Sequence, residues 1–224
     1  MSKHFQKELE RLKKNLLSLS AVVEGSVQKA VRSISHRDIT LAQEVIDNDD
    51  LINLSEVEIE EDCLKILALH QPVAMDLRFV VAVLKINNDL ERIGDLAVNI
   101  AERSTYLSQE APVKMPFDFE TMEQKTQLML KKAIDALIQM DVVIAYEVCA
   151  ADDEVDAINR EMYFQVSEGL RQSPNQSQKL IHCLSVSRHL ERIADYATNI
   201  AEDVIYMIEG KIVRHQPEEY YNLK

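Results

Sequence analysis

Leu9, Leu12, Leu16, Leu19 and Val23 recur at intervals of three and four with polar residues between them, so the chain opens with an amphipathic helix over about residues 4–34. Ser35-His36-Arg37-Asp38 interrupts the pattern, and Asp38 is placed to cap the next helix. That second helix runs to Gln71-Pro72, and a third covers about Ala74 to Ser108. The plan then starts again, with helices predicted at roughly 117–140, 142–172 and 175–209. Pro72, Pro112, Pro116, Pro174 and Pro217 all fall between periodic segments, where a fixed φ and a missing N–H cost least. The expectation is an all-α fold of six long helices in two tandem three-helix bundles. The first repeat covers residues 1–110 and the second 117–214, with a linker at 111–116 and a tail at 215–224.

An internal duplication supports this plan. The string from Leu90 to Glu102 returns from Leu190 to Glu202 with ten of thirteen positions identical. On the middle helices Asp38, Ala42, Glu44, Val45, Asp49 and Asp50 correspond, 103 residues on, to Asp141, Ala145, Glu147, Val148, Asp152 and Asp153. The offset falls to 100 by the third helix, so the second repeat lacks three residues, most simply at the proline-containing turn.

Composition narrows the field without changing the plan. Four glycines and no tryptophan among 224 residues suit helices better than sheets. A formal charge of −13 disfavours nucleic-acid phosphates and points to cations or basic protein surfaces as partners. The charged N-terminus and the lack of a long apolar run predict a cytoplasmic protein with no membrane insertion. Cys63, Cys149 and Cys183 are odd in number and far apart, as expected of reduced, buried thiols.

The repeated string carries the candidate chemistry. At about 100° per residue, Leu90, Ile93, Ala97 and Ile100 form an apolar face, and Glu91, Asp95 and Glu102 cluster about a quarter turn away. Acids at i and i+4 repel by a few tenths of a kcal/mol, so a duplication that keeps Glu91 with Asp95 and Glu191 with Asp195 keeps a cost. Gly94 and Ala194, beside the acids, allow a helix or an ion to approach closely. The middle helices offer Asp49 with Asn53 and Asp152 with Asp156 at the same spacing. If middle and third helices are antiparallel neighbours, each repeat sets four oxygen-bearing side chains face to face. Such donors suit Fe, Mn, Mg or Zn, with carboxylate bridging allowing more than one ion. A solvated acidic face with Arg92 and Arg192 as counter-charges is the plainer reading, and the two copies are what weigh against it. Site two has four carboxylates and site one three, so the second is expected to bind more tightly. His189, two positions before Glu191, reads as a surface histidine. No P-loop, G-x-G-x-x-G, H-E-x-x-H, G-x-S-x-G or E-x-x-H occurs, so the chain is not expected to be an enzyme. The alternative is a carboxylate-bridged metalloenzyme or metal-storage bundle.

The segment Gln71-Pro72-Val73-Ala74-Met75-Asp76-Leu77-Arg78, the two E-x-x-x-D copies and the opening His4-Phe5 before a Leu-rich helix resemble the PhoU family over nearly the whole chain. The resemblance implies tandem three-helix bundles and a cytoplasmic negative regulator of the Pho regulon and of phosphate uptake. It implies two partners, the phosphate ABC transporter ATPase and the Pho sensor histidine kinase. It also implies multinuclear Fe or Zn clusters on Glu91, Asp95, Asp152, Asp156, Glu191 and Asp195, and on Asp49 with Asn53 in the first repeat, where the amide departs from the carboxylate form. A homodimer is reasonable for a helical bundle of this kind. Arg78 falls in the family's D-L-R segment, and pairing with acids on an adjacent helix is its expected role.

Overall fold

The computed structural model describes residues 3–112 and 118–214, so most of the expected linker and all of the tail at 215–224 lie outside the described residues. The first repeat comprises α1 (Lys3–His36), α2 (Ile39–Asp47), α3 (Asp49–His70) and α4 (Ala74–Gln109). The second comprises α5 (Phe119–Gln139), α6 (Val142–Gln172), a 3-10 turn (Pro174–Gln176) and α7 (Ser177–Glu209). These are two three-helix bundles, because α2 and α3 together take the place that α6 holds in the second repeat.

The break between α2 and α3 was not expected, and it falls at Asp47-Asn48, where the unbroken α6 has Ala150-Ala151. Asn48 leaves ideal helix geometry at φ −86°, ψ −5°, and its carbonyl accepts a short-range bond from Leu51 N at 3.1 Å. Its counterpart 103 residues on is Ala151, the best helix former, and α6 runs through that point unbroken. Asparagine competes for backbone hydrogen bonds in a helix interior, whereas alanine does not.

The helix starts repeat with the sequence. Asp38 accepts hydrogen bonds from Thr40 N at 2.9 Å and Leu41 N at 3.2 Å, and Asp141 accepts from Val143 N at 2.8 Å and Ile144 N at 3.3 Å. The residue before each cap is left-handed in both repeats, Arg37 at φ 54° and Met140 at φ 53°. Arg37 earns its strained place by donating to the Ser108 and Glu110 carbonyls at the end of α4. One ion pair is also duplicated, Lys29–Glu44 and Lys132–Glu147, both at 2.8 Å.

Inside each bundle the apolar stripes converge: Leu12, Leu16, Leu19 and Val23 of α1 are buried, as are Leu90, Ile93, Ala97 and Ile100 of α4 and their counterparts on α7. The small residues beside the acids serve helix packing. A Cβ on Gly94 would lie 3.1 and 3.2 Å from the Ile52 side chain of α3, and in the second repeat the same two positions hold Ala194 and the smaller Val155. The three thiols are free and buried, and burial pushes Cys63 and Cys149 up to about 12 and Cys183 to about 11.

The two bundles pack mainly through α4 against α7, with α1 against α5 beside them. Arg78 does not pair as expected: among the described residues no carboxylate reaches it. Its guanidinium lies instead against Gly210, 3.6 Å from where a Cβ would stand, and its buried Nε has no partner. No helix among the described residues is long and apolar enough to cross a membrane.

Candidate functional site

α3 and α4 in the first repeat, and α6 and α7 in the second, bring the two sets of acids face to face. In the first, Asn53 Nδ2 donates to Asp49 Oδ2 at 3.1 Å, which spends the amide on its own neighbour. Burial raises the Asp49 pKa, with a further push from Asp95 across the helix pair. Glu91 is likewise raised by burial, then by Asp95, and also by Glu56 and Asp49. Arg92 answers this charge directly, its Nε 3.5 Å from Glu91 and its Nη1 3.3 Å from Asp95.

The second cluster is the more crowded. Burial, then Asp195 and Asp156, push Asp152 up to about 6, and Thr198, where the first repeat has Val98, offsets part of that rise. Asp195 is also pushed to about 6 by burial, Glu191 and Asp156, although its exposure to solvent tempers this more than at Asp152. Burial and Asp156 raise Glu191 too. Arg192 does not lie across its acids as Arg92 does. Its Nη2 donates to Tyr196 Oη at 3.4 Å, a hydroxyl that Leu96 lacks in the first repeat. Arg160, exposed, reaches Asp156 at 3.6 Å.

Each expected quartet is therefore assembled within strong Coulomb range. Asp49 Oδ1 and Glu91 Oε2 in the first quartet and Asp152 Oδ1 in the second are buried and accept no hydrogen bond, although Glu91 Oε2 has the Arg92 Nε charge at 3.5 Å. Among the described residues, however, no three His, Cys, Asp or Glu side chains converge closely enough to hold a metal ion. The donor chemistry fits a hard or borderline cation; the side chains as placed do not yet enclose one. Glu102 stands apart from the stripe, exposed and 3.7 Å from Arg103, whereas Glu202 is buried.

Sequence reasoning missed a second polar cluster, at the seam between repeats. A cavity of about 480 Å³ is lined by Glu60, Lys85, Asp89 and Asn199 together with Asp203 and Arg214. Lys85 Nζ holds the buried Asp203 at 2.7 Å, and burial with Asp203 nearby pushes Asp89 to about 7. At the other end of the seam the same positions hold basic residue types: Asp89 is replaced by His189 and Asp203 by Arg103. His189 is not a surface residue but half-buried, its Nδ1 unpartnered, and burial with Arg103 close by lowers it to about 4. The Asp89 and His189 substitution at matched positions was the visible signal.

Comparison with known proteins bears on the fold and the family. The family model described as PhoU domain matches residues 16–104 and again 119–204. A PhoU homologue of the phosphate-specific transport system from Aquifex aeolicus, named an accessory protein, is 39% identical over 94% of this chain and 95% of its own. One from Pseudomonas aeruginosa is 36% identical over 96% of this chain and 89% of its own. The crystal structure of PhoU from Pseudomonas aeruginosa superposes with TM-score 0.89 at 35% identity, covering 92% of this chain and 100% of that one. The phosphate transport system regulatory protein PhoU from Streptococcus pneumoniae gives TM-score 0.82 at 29% identity over 93% of this chain and 99% of that one. These relatives are named as accessory and regulatory proteins, not as enzymes, in line with the lack of catalytic motifs.

Proposed function

The chain belongs to the PhoU family, and on that premise we propose that it is a cytoplasmic regulator that damps the phosphate-starvation response and modulates phosphate uptake. In this role it is an adaptor, as a homodimer, between the phosphate ABC transporter ATPase and the Pho sensor histidine kinase. The observation that carries the reading is likeness over both repeats to accessory and regulatory proteins of phosphate transport. Deleting the gene should switch on phosphate-starvation reporters in phosphate-replete medium. Unchanged reporter output refutes the proposal.

A cation on the carboxylate stripes is part of the same proposal, and the buried Asp49 Oδ1 and Asp152 Oδ1, which accept no hydrogen bond, favour it. Asp152, Asp156, Glu191 and Asp195 would hold it in the second repeat, and Asp49, Glu91 and Asp95 with the Asn53 carbonyl in the first. When bound, such an ion supplies positive charge where like charges crowd. Elemental analysis of protein purified without a metal-affinity tag tests this, and the rival metalloenzyme reading requires, in addition, turnover that depends on Glu91 and Glu191.

A further inference from the structure

The outward faces of the duplicated middle helices have diverged. On α3, Leu51, Leu54, Val57 and Leu64 are 57, 63, 50 and 53% exposed. At about 100° per residue the last three fall within about 80° of arc, and the strip from Leu51 to Leu64 is about 20 Å long. Leu51 extends it toward Val22 of α1, which is 42% exposed. The opposite side of α3 buries Ile52, Ile59, Cys63 and Ile66, so this helix is apolar on two faces and only one of them meets its own core.

The second repeat shows that the bundle does not require this. There the same positions hold Glu154, Ala157, Arg160 and Ser167, and Val22 is replaced by Lys125, which forms an ion pair with Glu154. One exposed leucine needs no explanation, but four such positions that are apolar in one copy and polar or small in the other do, although α6 carries an exposed Phe164 on the same arc where α3 has Glu61.

Charge selects the occupant. Exposed acids lie among and beside these apolar side chains: Asp50 and Glu61 fall within the arc, Glu61 paired with Lys65 at 3.0 Å, and Glu58 and Glu60 flank it. Glu58 also lines, with Val22 and Ser55, a groove of about 180 Å³ between α1 and α3. A second copy docked through the same strip would set these acids against each other, in a chain of net charge −13. We propose that the α3 strip is a docking surface for an amphipathic helix of a partner protein whose apolar positions are flanked by Lys and Arg. This rests on the reading of the chain as an adaptor and names the surface that such an adaptor would use. Apolar anchors seat the helix and complementary charge orients it.

The test uses the full chain and a fluorescent Leu/Lys amphipathic helical peptide, with a scrambled peptide of equal charge as control. Binding is measured by anisotropy against the parent and against Leu54→Ser/Val57→Ser/Leu64→Ser. These side chains are exposed, and matching melting curves confirm that the variant folds. The expected result is preference for the amphipathic peptide, weakened about tenfold or more in the variant and by added salt. Equal binding by parent and variant, or no preference over the scrambled peptide, overturns the proposal. So does sedimentation showing a dimer in the parent and a monomer in the variant, which gives the strip to a second copy. Reporter derepression on gene deletion is scored separately: a chain that represses in cells yet shows no strip-dependent binding keeps its function and loses this surface. A chain that shows strip-dependent binding yet fails to repress loses the functional reading, not the surface.

Discussion

Changing Glu191 to Gln and Asp195 to Asn together removes two of the four carboxylates of the second site while keeping their shape. Asp152 stands at about 6 in the folded chain against an ordinary 3.8. That rise corresponds to about 3 kcal/mol of preference for the neutral form. Burial leads that rise and survives the change; Asp195 comes next and does not. Removing that charge relieves part of the cost, on the order of 1 kcal/mol at neutral pH. Asp195 is exposed enough that its own shift adds little to this. The metal-free variant should therefore melt about 2–4 °C higher than the parent. The matching change, Glu91→Gln with Asp95→Asn, strips Arg92 of partners at 3.5 and 3.3 Å, so no such gain is expected there. Metal content should follow the opposite ranking, falling further in the second-site variant than in the first. Calorimetry after chelation and elemental analysis of tag-free protein read both quantities. Equal metal in the parent and both variants returns the stripe to a solvated face, and a lower melting temperature of the chelated second-site variant refutes the repulsion estimate.

Three further outcomes follow from the same geometry. Asp89 stands at about 7, faced by Asp203, Lys85, Arg214 and Glu202, so the folded chain holds a proton that the unfolded chain releases at lower pH. Its contribution is fully present below about pH 4 and is lost as pH rises through about 7, so the melting temperature of the parent should fall relative to Asp89→Asn between about pH 5 and pH 8; parallel profiles refute this. Gly94→Ala should be better tolerated in an Ile52→Val background than in the parent, by about 0.5–1 kcal/mol in a double-mutant cycle, because the added Cβ meets Ile52 at 3.1 Å; additive effects refute the contact. Asn48→Ala should fuse α2 to α3 and raise stability by about 0.5 kcal/mol in denaturant melts with a gain in helical circular dichroism, and an unchanged spectrum refutes the assignment of the break to Asn48.

Helix placement was legible because the apolar period sets it and caps punctuate it: α6 begins and ends at the expected residues, and Asp38 and Asp141 cap as their positions suggested. The break at Asp47-Asn48 was hidden because two poor helix formers rarely outweigh their neighbours, and only comparison with Ala150-Ala151 reveals their effect. The face-to-face acids followed from i,i+4 spacing and a short turn, both local facts. What spacing cannot carry is side-chain direction. Both Arg92 and Arg192 were expected as counter-charges, but nothing in the order of residues indicated that only Arg92 would lie over its acids while Arg192 turned to Tyr196, or that Asn53 would donate to Asp49. The seam was illegible for a related reason, since Lys85 and Asp203 are 118 positions apart and meet only through the packing of α4 on α7.

Duplication explains why the diverged positions matter more than the retained ones. A pair of identical repeats related by a two-fold axis must present the same residues at both ends of their shared seam, so any charge is met twice. Joining the repeats in one chain lifts that requirement, and here the ends have become acidic and basic in residue type: Asp89 and Asp203 at one, His189 and Arg103 at the other. Each end still brings two groups of like sign when ionised together, and each avoids the repulsion differently. Lys85 and Arg214 neutralise the acidic end, while burial keeps His189 uncharged beside Arg103. The same freedom separates the other two specialised surfaces. The fully carboxylate quartet belongs to the second repeat, and the apolar strip with the acids among and beside it belongs to the first. Because α4 and α7 form the largest contact between the repeats, any change of charge at Glu191 and Asp195 acts on a helix that packs directly against the first repeat. A coupling between cation and docking surface has that helix pair as its physical route, and a lack of any metal effect on peptide affinity would show that the two repeats act independently.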